Sequence, residues 1–255
     1  MKKLIILVMS CNQERFINEE QVIRETYAKD IINNKYDNIK IIFYRGGYEE
    51  EKYDEENNLL CLTSSDSWIG TFKKTIDAFR WVYENICDFD YIIRTNTSTY
   101  INIKGILQFL NMDLPKDMIC GPNVLINKFN NYIPYMGGWF LIIPKHIIEV
   151  LIKNWHIVNT DIVDDAGIGF VLYKFYGGKY VENFMYEVDT IGDMYKTFLD
   201  RFNSAYCVRV KDEKNYENNI IRMYGLHFLY KKMAINVTPP HSFKNVFTPY
   251  GQLKI

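Results

Sequence analysis

Two neighbouring carboxylates, Asp164 and Asp165, stand directly ahead of the run Ala166-Gly167-Ile168-Gly169-Phe170-Val171-Leu172. Acids in that place commonly cap a helix, and a cap also fixes a carboxylate at a helix start, where it can take part in chemistry. A second cluster, Arg94-Thr95-Asn96-Thr97-Ser98, follows the apolar Tyr91-Ile92-Ile93. A buried strand thus ends abruptly in small residues able to donate and accept hydrogen bonds, which taken alone is a strand-end turn. Cationic side chains stand at Arg15, Arg24, Lys74 and Arg94, and taken alone these are surface or salt-bridging groups. His227 lies between apolar Leu226 and Phe228, the usual setting of a core histidine. The five cysteines, Cys11, Cys61, Cys87, Cys120 and Cys207, show neither a Cys-x-x-Cys pair nor a histidine at zinc-like spacing. They read as reduced, mostly buried thiols of a cytosolic protein.

These residues need a scaffold, and the hydrophobic pattern outlines one. Leu4 to Met9 is an uninterrupted apolar run, as in a strand covered on both faces. It imitates a secretory signal but is too short for one, with polar residues directly behind it. A helix is expected from about Glu19 to Asn33, then a strand over Ile39 to Tyr44 that stops at Arg45-Gly46-Gly47. The acidic stretch Glu49 to Glu56 reads as a solvated loop or short helix before Leu59 to Leu62. Phe72, Ile76, Phe79, Val82, Tyr83 and Ile86 give Thr71 to Cys87 a helical period. Tyr135 to Ile143 reads as one glycine-initiated strand, followed by a helix from about Lys145 to Trp155. Beyond about Gly178 the pattern turns irregular, with short strand-like runs and a closing Val237-Thr238-Pro239-Pro240-His241. Strands alternating with helices predict an α/β fold with a mainly parallel central sheet flanked by helices. Ligands of such sheets bind at the carboxyl ends of the strands, so Ser10-Cys11, Arg45-Gly46 and Arg94 to Ser98 should share one rim. At 255 residues the chain suits one large domain, 1–255, and no linker or repeat divides it.

Composition narrows the partners. Thirty Lys and Arg nearly balance 31 Asp and Glu, for a formal net charge of −1, and no block of like charge exists to track nucleic acid or an anionic membrane. No run approaches the length of a membrane span. The 20 Tyr and 16 Phe suit stacking on sugars or bases, and serve equally well as half-buried packing.

Several blocks together carry a resemblance. Asp66-Ser67-Trp68-Ile69-Gly70-Thr71-Phe72-Lys73-Lys74-Thr75, the helix behind it and the stretch Arg94 to Asn102 are similar to a segment of the β-1,3-galactosyltransferase and Fringe-like family of GT-A-fold inverting glycosyltransferases. That segment reads Asp-Ser-Tyr-x-Asn-Leu-Thr-x-Lys-Thr, then a helix with a Trp-rich turn, then Lys-Thr-Asp-x-Asp-x-Phe-x-Asn. Ile23-Arg24-Glu25-Thr26-Tyr27 resembles the family's Ile-Arg-x-Thr-Trp. Tyr132 to Phe140 resembles its Tyr-Pro-x-Tyr-x-x-Gly-x-Gly-Tyr, with the glycines at altered spacing, and Asp164 to Gly169 resembles Glu-Asp-Val-x-x-Gly. The four blocks keep the family's order from about Ile23 to Gly169, while the chain after Gly178 shows no likeness.

The resemblance implies a GT-A-type nucleotide-sugar-binding fold with a nucleotide-binding half over about 1–103 and an acceptor-side half over about 104–255. It implies transfer of a hexose from a nucleotide sugar, a UDP-sugar by analogy, to a hydroxyl of a glycan or glycoprotein with inversion. Asp165 takes the general-base position and Asp164 a place beside it that orients the site or meets acceptor. Donor contacts fall to Ser10, Cys11, Arg15, Arg24, Asp66, Lys74, Arg94, Thr95, Asn96, Thr97 and Ser98, and sugar contacts to Gly137, Gly138 and Trp139. The family's Asp-x-Asp turn, which holds a divalent cation on the diphosphate, maps onto Asn96, Thr97 and Ser98, none of them a carboxylate. Mg²⁺ and Mn²⁺ favour carboxylate oxygens, so a metal at Asn96, Ser98 or His227 is expected to bind weakly or be dispensable. Leaving-group charge should then pass to Lys74, Arg94, Arg24 and Arg15. The competing expectation is a catalytically inactive carbohydrate- or nucleotide-sugar-binding protein on the same fold. A nucleotide-sugar hydrolase, or a transferase using another acceptor, would keep the same donor site. The Asn-, Ile-, Lys- and Tyr-rich usage fits an AT-rich genome, a bacterium or a large DNA virus, with a cytoplasmic location, the host cytoplasm in the viral case.

Overall fold

The structure is a computed structural model that describes residues 1–111, 119–122, 124–127, 133–158, 162–177, 180–182, 185–187, 207–232, 245–248 and 251–253. The apolar runs form strands β1 (Leu4–Met9), β2 (Ile39–Arg45) and β5 (Tyr91–Asn96), with β1 central and parallel to both neighbours. Between β2 and β5 in sequence come β3 (Lys52–Asp54) and β4 (Leu59–Cys61), and β4 continues the parallel order beside β2. Later in the chain, β7 (Ile119–Gly121), β10 (Phe140–Pro144) and β11 (Tyr180–Glu182) extend the sheet on the other side of β5. β10 runs antiparallel between β5 and β7, whereas β7 and β11 are parallel. With β14 (Asn245–Thr248) and β15 (Gly251–Leu253) at the far edge, the ten-stranded order is β15-β14-β11-β7-β10-β5-β1-β2-β4-β3.

Strand side chains alternate between faces, and β1 divides accordingly. Leu4, Ile6 and Val8 enter one core, while Ile5 and Leu7 enter the other. Helices α3 (Thr71–Asn85), α5 (Lys145–Asn154) and α6 (Asp164–Tyr176) cover the Ile5 face with Phe72, Phe79, Leu151 and Val171. Helices α1 (Glu14–Glu25), α4 (Ile103–Leu110) and α7 (Glu217–Lys232) cover the other with Val22, Phe109 and Leu226. Burying each such side chain contributes roughly 2 kcal/mol, which is why the sheet keeps both faces covered. A small sheet of β6 (Thr99–Ile101), β13 (Cys207–Arg209) and β12 (Met185–Glu187) stands beside the rim, and β8 (Val124–Asn127) pairs with β9 (Ile133–Met136). Among the described residues no helix is long and apolar enough to cross a membrane.

Local details depart from the sequence pattern. The helix expected over Glu19 to Asn33 starts earlier, at Glu14, and breaks at Thr26 into a separate turn, α2 (Lys29–Ile32). The break lets Tyr27, Ala28 and Ile31 turn into the core, while the Thr26 hydroxyl donates to the Val22 carbonyl at 2.6 Å. The acidic stretch is neither loop nor helix throughout, because Lys52–Asp54 pairs antiparallel with β4 across a turn in which Asp54 accepts the Asn57 N–H. The single strand expected over Tyr135 to Ile143 is two, β9 and β10, parted at Gly137–Trp139. The long helix α7 lies where the pattern reads as irregular. Ile221, Tyr224 and Phe228 are exposed on its outer side, so apolar residues ring it and blur the period. The closing Val237 to His241 run and Tyr132 lie outside the described residues.

Candidate active site

A cavity of about 840 Å³ opens at the carboxyl ends of β1 and β5, the size and place expected of a small-molecule site in such a sheet. Its walls are Ser10 and Cys11 after β1, Asp66 and Trp68 ahead of α3, Asn96 to Ser98 after β5, Gly137 to Trp139 before β10, Asp164 and Asp165 at the start of α6, and Arg209 and Lys211 at the end of β13. Stretches from both ends of the chain therefore meet there.

Asp66 pins the β1 and β2 ends together. One oxygen accepts the Gly46 N–H at 3.0 Å and Lys74 Nζ at 2.6 Å, the other the Asn12 N–H at 2.8 Å. Lys74 is buried and also donates to the Ser10 carbonyl at 3.0 Å, so its charge is neutralised inside the wall. The Ser10 hydroxyl is buried there with no hydrogen-bond partner among the described residues. An unmet buried hydroxyl costs about 1–3 kcal/mol, a cost that a bound polar ligand would remove. Burial pushes the Cys11 thiol up, which keeps it in the neutral form. Trp68 is 75% exposed at the cavity mouth, on a short turn whose Ser67 hydroxyl accepts the Gly70 N–H.

The turn after β5 is satisfied internally. Asn96 Oδ1 accepts from the Ser98 N–H at 3.2 Å, the Ser98 hydroxyl at 3.1 Å and the Thr99 hydroxyl at 2.9 Å. The Thr97 hydroxyl donates to buried Glu19 of α1, whose other oxygen accepts Asn219 Nδ2 of α7 at 2.7 Å. Thr95 sits behind the wall and donates to the Trp139 carbonyl at 3.0 Å. Divalent cations need several hard oxygens, and here the side-chain oxygens of the turn are already engaged. Among the described residues no cluster of three His, Cys, Asp or Glu suits a metal. Among the described residues, the turn after β5 offers Mg²⁺ or Mn²⁺ no carboxylate.

The two acids at the start of α6 differ in environment. Asp164 is buried and meets Arg94 Nη2 at 2.5 Å and the Thr75 hydroxyl at 3.4 Å, while its N–H donates to the Thr71 hydroxyl at 3.2 Å. Burial lifts its carboxyl to about 6 against the downward pull of Arg94. Burial works against the Arg94 charge, but Asp164 and Tyr44 more than offset it and hold the guanidinium above its usual range. Asp165 faces the cavity; its oxygens accept the Gly138 N–H at 3.1 Å and the Ala166 N–H at 2.8 Å. Neither acid is the helix cap, since Val163 occupies that position without a side-chain bond.

Of the four cations expected to face a diphosphate, Arg15 lines the cavity and pairs with Glu19 at 3.5 Å. Lys74 and Arg94 line it while paired. Arg24 lies outside it, bonded to Glu20 at 2.6 Å and stacked 3.9 Å from the Phe43 ring centroid. His227 also lies outside the cavity lining, where Nδ1 meets the Tyr100 hydroxyl at 3.1 Å and burial lowers its pKa. In their place Arg209 and Lys211 reach the cavity, and Arg209 lies 5.9 Å from the Trp139 ring centroid. The alternation Val208-Arg209-Val210-Lys211 is a strand signal that puts both cations on one side. No local pattern says that this side meets the turn.

The strand order, with antiparallel β10 between β5 and β7, and the cavity on this rim define a GT-A-type α/β fold. A crystal structure of a glycosyltransferase involved in the glycosylation of the major capsid of PBCV-1 matches with a TM-score of 0.52 and 13% identity, covering 87% of this chain and 99% of that one. The glycosyltransferase GlyE of Streptococcus pneumoniae TIGR4 matches at TM-score 0.41 and 12% identity, over 96% of this chain and 67% of that one. At these identities the likeness is one of fold, and the first match carries it. No protein-family model and no curated protein sequence matches the chain.

Proposed function

We propose that this protein is an inverting glycosyltransferase that moves a hexose from a UDP-sugar to a hydroxyl of a glycan or glycoprotein, with Asp165 as general base. The observation that carries the reading is the shared cavity. A carboxylate fixed by two backbone N–H groups faces it, and the cations Arg15, Arg209 and Lys211 line the same space. In the reaction the acceptor oxygen attacks the anomeric carbon from the face opposite the diphosphate, the bond from that carbon to the diphosphate oxygen breaks, and the hydroxyl proton passes to Asp165. Each Asp165 oxygen keeps a lone pair beyond its backbone bond, so it can accept that proton. Charge grows on the departing diphosphate, where cationic donors fixed in advance stabilise it most. The β-1,3-galactosyltransferase and Fringe-like family is the subgroup we favour, on the block order from Ile23 to Gly169. The loss of carboxylates at Asn96 and Ser98 favours a second reading, a binding protein that holds nucleotide sugar without transferring it.

Donor turnover separates the two. The purified protein is incubated with UDP-hexoses and a panel of glycan acceptors, and UDP release is followed for the wild type and Asp165→Ala. Release that Asp165→Ala abolishes supports transfer; nucleotide binding without release, under every acceptor, supports the binding protein.

A further inference from the structure

Trp68 lines the cavity and is 75% exposed, and Ile69 beside it is 50% exposed. Tryptophan seldom stands so open to water, and an indole offers a flat apolar face that suits the C–H side of a sugar ring. We infer that Trp68 is the platform for the acceptor: a pyranose ring stacks on the indole while one of its hydroxyls reaches Asp165, with Leu125 as a second apolar contact. The inference rests on the glycosyltransferase reading above and narrows its acceptor to a sugar ring, as opposed to the hydroxyl of a protein side chain.

The turn that carries Trp68 is fixed in advance. The Ser65 hydroxyl donates to Ser67 Oγ at 3.0 Å, the Ser67 N–H donates back to Ser65 Oγ at 3.1 Å, and Ser67 Oγ also accepts the Gly70 N–H at 3.2 Å. A Cβ on Gly70 would come 3.0 Å from Ser67 Oγ and 3.1 Å from Ser65 Cβ, so the turn closes tightly on itself. A platform held in place before binding loses little freedom when the ligand arrives.

Further contacts tie this platform to the acids of α6. The Thr71 hydroxyl donates to the Trp68 carbonyl at 2.9 Å, and the same oxygen accepts the Asp164 N–H at 3.2 Å. One residue on, the Phe72 ring lies against α6 at Gly167, where a Cβ would come 2.4 Å from it. Trp68 thus stands on the block that presents Asp165, the group that receives the acceptor proton in the proposed reaction, and both residues line one cavity. Leu125 is 37% exposed and lines it too. It stands opposite Tyr135 in the β8–β9 pair, and Tyr135 packs against Gly169 of the same helix. Asp165 therefore shares the cavity with two open apolar side chains, each carried by an element packed on α6. Arg15, Arg209 and Lys211 enter instead from α1 and the β13 end.

The test is steady-state transfer from UDP-galactose, UDP-glucose and UDP-N-acetylglucosamine to the methyl β-glycosides of the same three sugars, to lactose, and to a peptide carrying Ser and Thr, with calorimetric UDP affinity alongside. Trp68→Ala should raise the KM of the glycoside acceptor about tenfold, the scale of one aromatic contact. Its kcat should stay within about threefold of wild type and its UDP affinity within about twofold. Trp68→Phe keeps a ring and should recover most of the loss, which a merely structural role would not predict, and Leu125→Ala should raise the same KM by about threefold. The Trp68 side chain is exposed, so its variants should melt with the wild type. An acceptor KM within threefold of wild type in Trp68→Ala overturns the inference while transfer stands. So does a tenfold loss of UDP affinity, which would put the nucleobase on the indole, and so does transfer to the peptide and to no glycoside. Absence of transfer to every acceptor overturns the glycosyltransferase reading and the inference with it.

Discussion

Gly138 sits against the carboxylate proposed to take the acceptor proton, and replacing it with alanine is a small perturbation with a definite expected effect. A Cβ at position 138 would lie 2.9 Å from Asp165 Cβ and 3.2 Å from both Cγ and Oδ2. Ordinary carbon contacts begin near 3.5 Å, so the Asp165 side chain must retreat by roughly 0.5–1 Å. Its bond from the Gly138 N–H lengthens with it. A misplacement of about 1 Å at a reacting group can cost about 100-fold in turnover, or roughly 2.7 kcal/mol of barrier. Overpacking costs the fold only about 1–3 kcal/mol. Gly138→Ala should therefore remain folded, bind UDP within about twofold of wild type and lose about 100-fold in kcat with little change in KM. The assay is UDP release from a UDP-hexose at saturating acceptor, with calorimetric UDP affinity and a thermal melt as companions. Turnover within threefold of wild type in a folded Gly138→Ala protein would refute the assignment of Asp165.

The buried Arg94–Asp164 pair makes a second case. Arg94→Met leaves a buried carboxylate without its cation and should cost about 3–5 kcal/mol, a fall of roughly 10 °C in Tm, while Arg94→Met/Asp164→Leu should recover most of it; a double variant as unstable as the single one would show that the pair is not the source. Asp164 also sets a pH dependence: its carboxyl is lifted from an ordinary 3.8 to about 6 in the fold, so the folded chain takes up a proton that the unfolded chain does not. Its contribution to stability thus rises as pH falls through about 6 and levels off below about 3.8, and thermal melts at pH 7, 5.5 and 4 should show wild type rising relative to Asp164→Asn. At Gly169 a Cβ would come 2.2 Å from Tyr135 Cβ and 3.1 Å from its Cα, a clash at backbone level between α6 and β9. Gly169→Ala should cost about 3 kcal/mol, read as a lower urea midpoint at unchanged m.

Local pattern alone was enough to read the α/β alternation. Leu4–Met9, Ile39–Arg45 and Tyr91–Asn96 announce themselves as buried strands because every residue of such a strand meets a core, and the helical period of α3 does the same for one face. The shared rim of Ser10, Arg45 and Asn96 followed from strand direction, which parallel pairing of β1 with β2 and β5 enforces. What sequence determined here is therefore what short-range burial records. Tertiary structure decided the charges. The sequence leaves Lys74 and Arg94 open between a phosphate and a salt bridge, and the fold pairs them with Asp66 and Asp164, the second from 70 residues away. Arg209 and Lys211 reach the Asn96 turn through the pairing of β13 with β6, across more than a hundred residues. The orientation of the Asn96 carboxamide is set by a bond from the Ser98 backbone. Periodicity records which face of an element is buried, but the sign of a site depends on which buried groups meet, and only the register between distant strands and helices fixes that.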